Sequence, residues 1–193
     1  MTVMLAWAML GGALFAARLR QRRSDAADAA PKRDLQSWGG LALQGVGFAL
    51  VWSRVKHQPV FWPGLSNDAQ IALAFLAMLL ALASAAFAVL AIRELGKQWS
   101  LTARVLASHE LVQRGPFARV RHPIYSALLG MLLATGLVLS TAPLTAIGAL
   151  VYVLGTHWRA AREEGLLRAH FGSAYDDYAR RVPRLIPRPW RQK

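Results

Sequence analysis

The chain has 193 residues, 55% of them hydrophobic, no cysteine, and a formal net charge of +13. A positive mean hydropathy alongside 23 Lys and Arg reads as a small integral membrane protein rather than a basic nucleic-acid binder, which would lack several uninterrupted apolar runs. Disulfides, Cys-ligated zinc and thiol catalysis are excluded, and with no G-x-G-x-x-G motif a Rossmann-type cofactor site is not expected.

A helical membrane span needs about 20 mostly apolar residues. The first candidate runs from Thr2 to Ala17 and is followed by Arg18, Arg20, Arg22 and Arg23. A cleaved signal peptide would carry its basic residues before the apolar stretch, so a retained anchor is the better reading. The second, Ser37 to Trp52, is rich in glycine (Gly39, Gly40, Gly45, Gly47), which suits close helix approach in lipid. The third, Ala69 to Ile92, is Ala/Leu-rich with no charge before Arg93. The fourth, Ile124 to Ser140, and the fifth, Leu144 to Trp158, are joined by Thr141-Ala-Pro143 and are expected to form an antiparallel hairpin.

Segments 18–35, 93–121 and 159–193 hold 6, 6 and 9 Lys/Arg, and only Arg54 and Lys56 fall outside them. With five spans the positive-inside rule puts the N-terminus outside and the C-terminus in the cytoplasm. The basic surface then faces anionic headgroups, without nucleic acid as a partner. Beyond Trp158 the fifth helix is expected to continue to His170, with Gly172 as its stop. Ser173-Ala-Tyr-Asp176 reads as the capped start of a short helix bearing Tyr175 and Tyr178. Val182 to Trp190 reads as an extended interfacial tail anchored by Trp190. The expected architecture is thus all-α, a five-helix membrane bundle whose short cytoplasmic helices close a site. Residues 1–92 form the N-terminal helices and 93–193 the functional core.

The stretch from Arg114 to Tyr125, Arg-Gly-Pro-Phe-Ala-Arg-Val-Arg-His-Pro-Ile-Tyr, is a basic loop against the start of the fourth span. The fourth and fifth spans have similar lengths, so their cytoplasmic ends return to one level and bring His122 beside Arg159. Arg159 and Glu163 are four apart on one helix face, whereas Glu164 is turned roughly 100° away and should serve different partners. A histidine, an arginine, a carboxylate and a glycine-proline loop at a membrane surface suit a zwitterionic or cationic ligand. Any single arginine here is ordinarily a positive-inside residue. Arg159 with Glu163 is ordinarily a surface pair worth a few tenths of a kcal/mol. Pro123 is ordinarily a first-turn proline. His157 reads as a buried, hydrogen-bonded histidine, and no histidine pair has helical zinc spacing, so no metal is expected.

An ordered set of motifs carries a resemblance: Leu95-Gly-Lys-Gln-Trp-Ser100, His109-Glu-Leu-Val112, Gly115-Pro-Phe117, Arg121-His-Pro-Ile-Tyr125, then Glu163-Glu164 followed by Phe171-Gly172, Tyr175 and Val182-Pro183. Over residues 93 to 187 the chain resembles the isoprenylcysteine carboxyl methyltransferase family, whose core is shared by related membrane phospholipid methyltransferases. The resemblance implies a membrane methyltransferase using S-adenosylmethionine, which enters from the cytoplasm, and a lipophilic substrate arriving from the bilayer. It assigns the cofactor to His109, Glu110, Leu111, Val112, Phe117, His122, Pro123, Tyr125 and Glu163, with the first four lining the adenosine pocket. It assigns the substrate carboxylate to Arg159, so that Arg159 and Glu163 are the catalytic candidates. His122 is a candidate for the cofactor's carboxylate. Phe117 stands where the family usually has tyrosine and lacks the phenolic hydroxyl. Ala127 replaces a common glycine and is expected to narrow the pocket. The small size and arginine-rich composition read as a bacterial inner-membrane protein. Phospholipid, lipidic phenol and thiol acceptors remain open, as do a sterol-reductase-like NADPH enzyme and a non-catalytic lipid-binding protein.

Overall fold

In a computed structural model, residues 2–25, 32–33, 37–53, 64–100, 104–105 and 110–186 are described, residues 22–25, 32–33, 97 and 104–105 by backbone only. The helices are α1 (Thr2–Asp25), α2 (Ser37–Trp52), α3 (Asn67–Leu95), α4 (Pro123–Leu139), α5 (Ala142–Phe171) and α6 (Ser173–Arg181). Two 3₁₀ turns, Gly96–Gln98 and Gly115–Ala118, sit between α3 and α4. The all-α expectation needs one small amendment. Lys32–Arg33 (β1) pairs antiparallel with Arg104–Val105 (β2), Lys32 opposite Val105 and Arg33 opposite Arg104.

All five expected spans are helices. Thr2–Gln21 and Asn67–Leu95 are long and apolar enough to cross a membrane, while Pro123–Leu139 is apolar but shorter. α1 runs past Ala17 through its arginines to Asp25, because an arginine-rich stretch has good helix propensity and nothing breaks it.

Two helix pairs dominate the packing, α2 on α5 and α3 on α4. The α4–α5 hairpin exists, with only Ser140 and Thr141 between the helices, but each arm packs more closely on another partner. The cause lies in where the small residues are. Gly40 and Gly47 on α2 face Gly155 and Gly148 on α5. A Cβ on Gly40 would lie 2.7 Å from the Gly155 carbonyl oxygen, and one on Gly155 would lie 2.6 Å from that of Gly40. The same reciprocity holds at Gly47 and Gly148, at 2.6 and 2.7 Å. Such reciprocal backbone-to-backbone contact lets the two helices approach closely and gives the pair its van der Waals packing. Gly45 lies off this seam, where a Cβ would meet nothing within 4 Å.

The α3–α4 pair uses alanine in the same way. Ala81, Ala85 and Ala88 of α3 meet Ala127, Met131 and Ala134 of α4, and Val3, Ala6 and Leu10 of α1 close the cluster. Across it Trp7 Nε1 donates to Thr135 Oγ1 at 2.9 Å, worth about 1 kcal/mol for a typical intramolecular hydrogen bond. Ala127 is therefore a core residue against α3 and does not line the cavity described below, which corrects the expectation that it narrows the pocket.

α5 continues unbroken past Trp158 to Phe171 and stops at Gly172, whose φ of +56° is the left-handed conformation that glycine adopts at little cost. Ser173 is not the cap of the next helix. Gly172 occupies that position and Ser173 lies inside the first turn of α6. Here Asp176 is paired with Arg168 across the corner at 2.7 Å. The Trp190 anchor lies outside the described residues.

Candidate functional site

A cavity of about 460 Å³ opens where α1, α2, α4 and α5 converge with the loop before α4, within the usual size range of ligand pockets. Its lining includes the apolar Leu14, Leu41, Phe48 and Leu128 with Gly45. It also includes Gln44, His122, Tyr125, Arg159 and Glu163, with the buried aromatics Trp99 and Phe117.

The polar lining residues are a connected set. Pro123 starts α4 as a first-turn proline with His122 at the N-cap, where its fixed φ suits the helix and its missing N–H costs nothing. That start places Tyr125 one turn in, its ring stacked parallel to His122 at 5.5 Å between centroids. The Arg159 guanidinium lies over the other part of the set, 5.1 Å from the Tyr125 ring centre. Tyr125 donates its hydroxyl hydrogen to Glu163 Oε1, and Arg159 Nη2 is 3.7 Å from the same oxygen. Arg159 also donates from Nη1 to Gln44 Oε1 at 3.1 Å. The hairpin expectation that His122 and Arg159 become neighbours is met through Tyr125.

Glu163 and Glu164 diverge as their angular separation requires. Glu163 points to the cavity, toward Tyr125 and Arg159. Glu164 is buried behind it and collects Arg121 Nη2 at 3.0 Å, Arg184 Nη2 at 2.6 Å and His122 Nε2 at 3.1 Å. They share His122, whose Nδ1 lies 3.5 Å from Glu163 Oε2. Both imidazole nitrogens thus face carboxylates, so His122 orients Glu163 and is not placed to present an N–H to a ligand's carboxylate. Burial opposes the charged imidazole, but hydrogen bonds to Glu163 and Glu164 outweigh it and raise the His122 pKa above 6.5. Burial likewise opposes charge on both glutamates, yet His122 holds Glu163 below the usual carboxylate value, and His122 and Arg184 hold Glu164 well below it.

The chain after α6 straps this arrangement from outside. The Arg121 N–H donates to the Pro183 carbonyl at 2.9 Å and the His122 N–H to that of Arg184 at 3.1 Å. Arg121 Nη1 donates to the carbonyls of Ala179 and Val182 at 2.6 and 2.8 Å. Tyr178 Oη donates to the Phe117 carbonyl at 2.7 Å, and Ser126 Oγ to that of Leu185 at 2.5 Å. Burial raises the Tyr178 pKa, so the phenol remains a donor.

Of the residues expected at the site, Phe117, His122, Pro123, Tyr125, Arg159 and Glu163 line the cavity together. Glu110, Leu111 and Val112 are not among its lining residues. The Glu110 N–H instead donates to Gln98 Oε1 at 2.8 Å, behind a residue that does line it. His109 lies outside the described residues. His157 is exposed, its ring paired with the Val153 carbonyl at 2.9 Å, which corrects its reading as a buried histidine. Sequence reasoning missed Gln44, and it gave Glu164, Arg121 and Arg184 no structural task. The signal for Gln44 was present, since an amide inside an apolar glycine-rich helix that becomes buried needs an internal partner.

A helical bundle thus encloses a cavity lined by leucines and by a Tyr–His–Arg–Glu cluster, a combination typical of ligand sites. A model of the isoprenylcysteine carboxyl methyltransferase (ICMT) family matches residues 75–169, from within α3 almost to the end of α5. The chain is 39% identical over 84 residues to protein-S-isoprenylcysteine O-methyltransferase B of Arabidopsis thaliana, covering 41% of this chain and 40% of that protein. It is 35% identical over 79 residues to protein-S-isoprenylcysteine O-methyltransferase of Schizosaccharomyces pombe, covering 41% and 34%. It is also 37% identical over 81 residues to the nickel-cobalt-cadmium resistance protein NccN of Alcaligenes xylosoxydans xylosoxydans, covering 42% and 38%. These matches span two fifths or less of each relative's length. Over residues 75–169 the chain is similar to the isoprenylcysteine carboxyl methyltransferase family.

Proposed function

We propose that the protein is an integral membrane methyltransferase that uses S-adenosylmethionine to methylate the carboxylate of an isoprenylcysteine-like lipophilic acceptor. Five spans with the N-terminus outside set this site at the cytoplasmic face of a bacterial inner membrane, with membrane lipids around it. The observation that carries the reading is one cavity lined both by Leu14, Leu41, Phe48 and Leu128 and by Arg159, Tyr125 and Glu163. A lipid tail fits the first set and a charged headgroup the second.

The residues present fit the cofactor by chemistry. Glu163, held ionised, matches a sulfonium or an ammonium group, and the buried faces of Trp99 and Phe117 suit a planar base. Bound S-adenosylmethionine would supply an electrophilic methyl group on sulfur. Arg159 would hold the acceptor's carboxylate by charge-assisted hydrogen bonds. Tyr125 and His122 fix Glu163, and the apolar lining excludes water from the charged groups. A carboxylate is already ionised near neutral pH, so no side chain need remove a proton. What remains for the protein is alignment and desolvation.

Calorimetric titration of the detergent-solubilised protein with S-adenosylhomocysteine tests the cofactor half. Micromolar binding lost in Glu163→Ala and weakened in His122→Ala is the expected result. Absent binding to folded wild-type protein sinks the reading, and NADPH binding in its place redirects it to a reductase.

A further inference from the structure

Gln44 lies on α2, outside the segment that matches the family model. It is buried, lines the cavity, and touches α5 at both ends of its amide: Oε1 accepts from Arg159 Nη1 at 3.1 Å and Nε2 donates to Thr156 Oγ1 at 2.9 Å. We infer that Gln44 is a positioning residue of the acceptor site, holding the Arg159 guanidinium over Tyr125 where an anionic headgroup meets it. This rests on the reading of Arg159 as the partner of the acceptor's carboxylate.

Three features carry the inference. A guanidinium only donates, so the amide oxygen must be the end facing Arg159, and the NH₂ must then find an acceptor, which the Thr156 hydroxyl supplies. The amide is thereby pinned at both ends in a buried place. Gly40, one turn before Gln44 on the same face, clears the path of the arginine, since a Cβ there would lie 2.5 Å from Arg159 Cγ. The α2–α5 seam and the amide therefore act on the same side chain. Finally, the amide is neutral. It fixes the guanidinium without cancelling its charge, while the nearby carboxylate of Glu163 is shared with Tyr125 and His122.

A merely structural amide, gluing α2 to α5 through Thr156, predicts different behaviour. The test uses the purified full chain and measures methyl transfer from S-adenosylmethionine to a prenylated cysteine with a free carboxylate. Acceptor KM, kcat and S-adenosylhomocysteine affinity are compared for wild type, Gln44→Leu, Gln44→Glu, Arg159→Met and the Gln44→Leu/Arg159→Met double variant. Positioning predicts an acceptor KM raised about tenfold or more in Gln44→Leu, with S-adenosylhomocysteine affinity within about twofold of wild type. Gln44→Glu keeps the size and an oxygen toward Arg159 but neutralises the guanidinium, and it should lose acceptor affinity at least as severely. In the Arg159→Met background Gln44→Leu should add almost nothing, because its effect runs through Arg159. Additive losses overturn the inference, as does a Gln44→Glu protein with wild-type acceptor KM. If Gln44→Leu does not fold, Gln44→Glu alone decides between the two. A wild-type protein that binds S-adenosylhomocysteine but never methylates this acceptor overturns the acceptor reading itself, and this inference falls with it.

Discussion

Between Gly148 and Gly155, α5 meets α2 through backbone and small side chains, whereas beyond Trp158 the same helix is gripped by arginines and a histidine converging on Glu164. The first region is fixed by shape, through close backbone contact at paired glycines. The second is fixed by charge and hydrogen bonds, where the desolvation of Glu164 is offset by Arg121, Arg184 and the His122 ring. Arg159 sits where the two meet. Its stem needs the α2 seam and its head faces the ionic set, so each region controls one end of a single side chain.

The largest expected effect comes from breaking the shape-fixed region. Gly155→Leu or Gly40→Leu forces a side chain into the opposite backbone, beyond the 1–3 kcal/mol of ordinary overpacking, and the apparent Tm in detergent should fall by more than about 10 °C. Gly45→Ala is the control. Nothing lies near its Cβ position, so Tm should move by no more than about 2 °C.

Next comes the charge-fixed region, where the adjacent glutamates should separate cleanly. Glu164→Gln leaves Arg121, His122 and Arg184 without their common anion. It should cost about 3 kcal/mol, the low end for a broken buried pair because Arg184 is partly exposed to solvent. Glu163→Gln should leave Tm within a few degrees and instead reduce S-adenosylhomocysteine affinity about tenfold. Thermal unfolding and calorimetry on the same two variants check both halves.

The pH dependence follows from the same groups. The raised pKa of His122 means that its stabilisation is fully present below 6.5 and is lost as pH rises through the folded value. Glu164, depressed, contributes fully above 4.5 and loses its contribution as pH falls through its folded value. Stability should therefore be greatest between about pH 4.5 and 6.5 and decline as pH rises through the folded value of His122. His122→Gln should remove the alkaline decline and leave the acid limb. The smallest effect is Tyr178→Phe, which deletes the bond to the Phe117 carbonyl. It should cost about 1 kcal/mol, read as a Tm lower by a few degrees.

Much of this is legible in the residues. Apolar runs locate all five long helices, because length and hydrophobicity are local properties. The site cluster is equally accessible, since Arg159 and Glu163 share a helix face and a two-residue link returns α5 toward His122. Partner choice is not. The glycines of α2 announce close packing but not with which helix, and only the reciprocal spacing of Gly40/Gly47 and Gly155/Gly148 makes α5 the answer. Gln44 stays hidden for the same reason, its meaning depending on a residue 115 positions away. That Glu164 serves other partners than Glu163 is legible, but not which ones, because Arg121 and Arg184 come from two separate segments. Ala127 reads toward the cavity, although the face it occupies on α4 belongs to α3.

The most direct test of the account is the chemical nature of the methylated product. Purified protein is incubated with methyl-labelled S-adenosylmethionine and a prenylated cysteine bearing a free carboxylate, and the product is treated with base. The account predicts label released as methanol from a carboxyl ester, in an amount that falls sharply in Arg159→Met while S-adenosylhomocysteine still binds. Label retained through base treatment on an amine, ether or thioether, or equal ester formation in Arg159→Met, would contradict it.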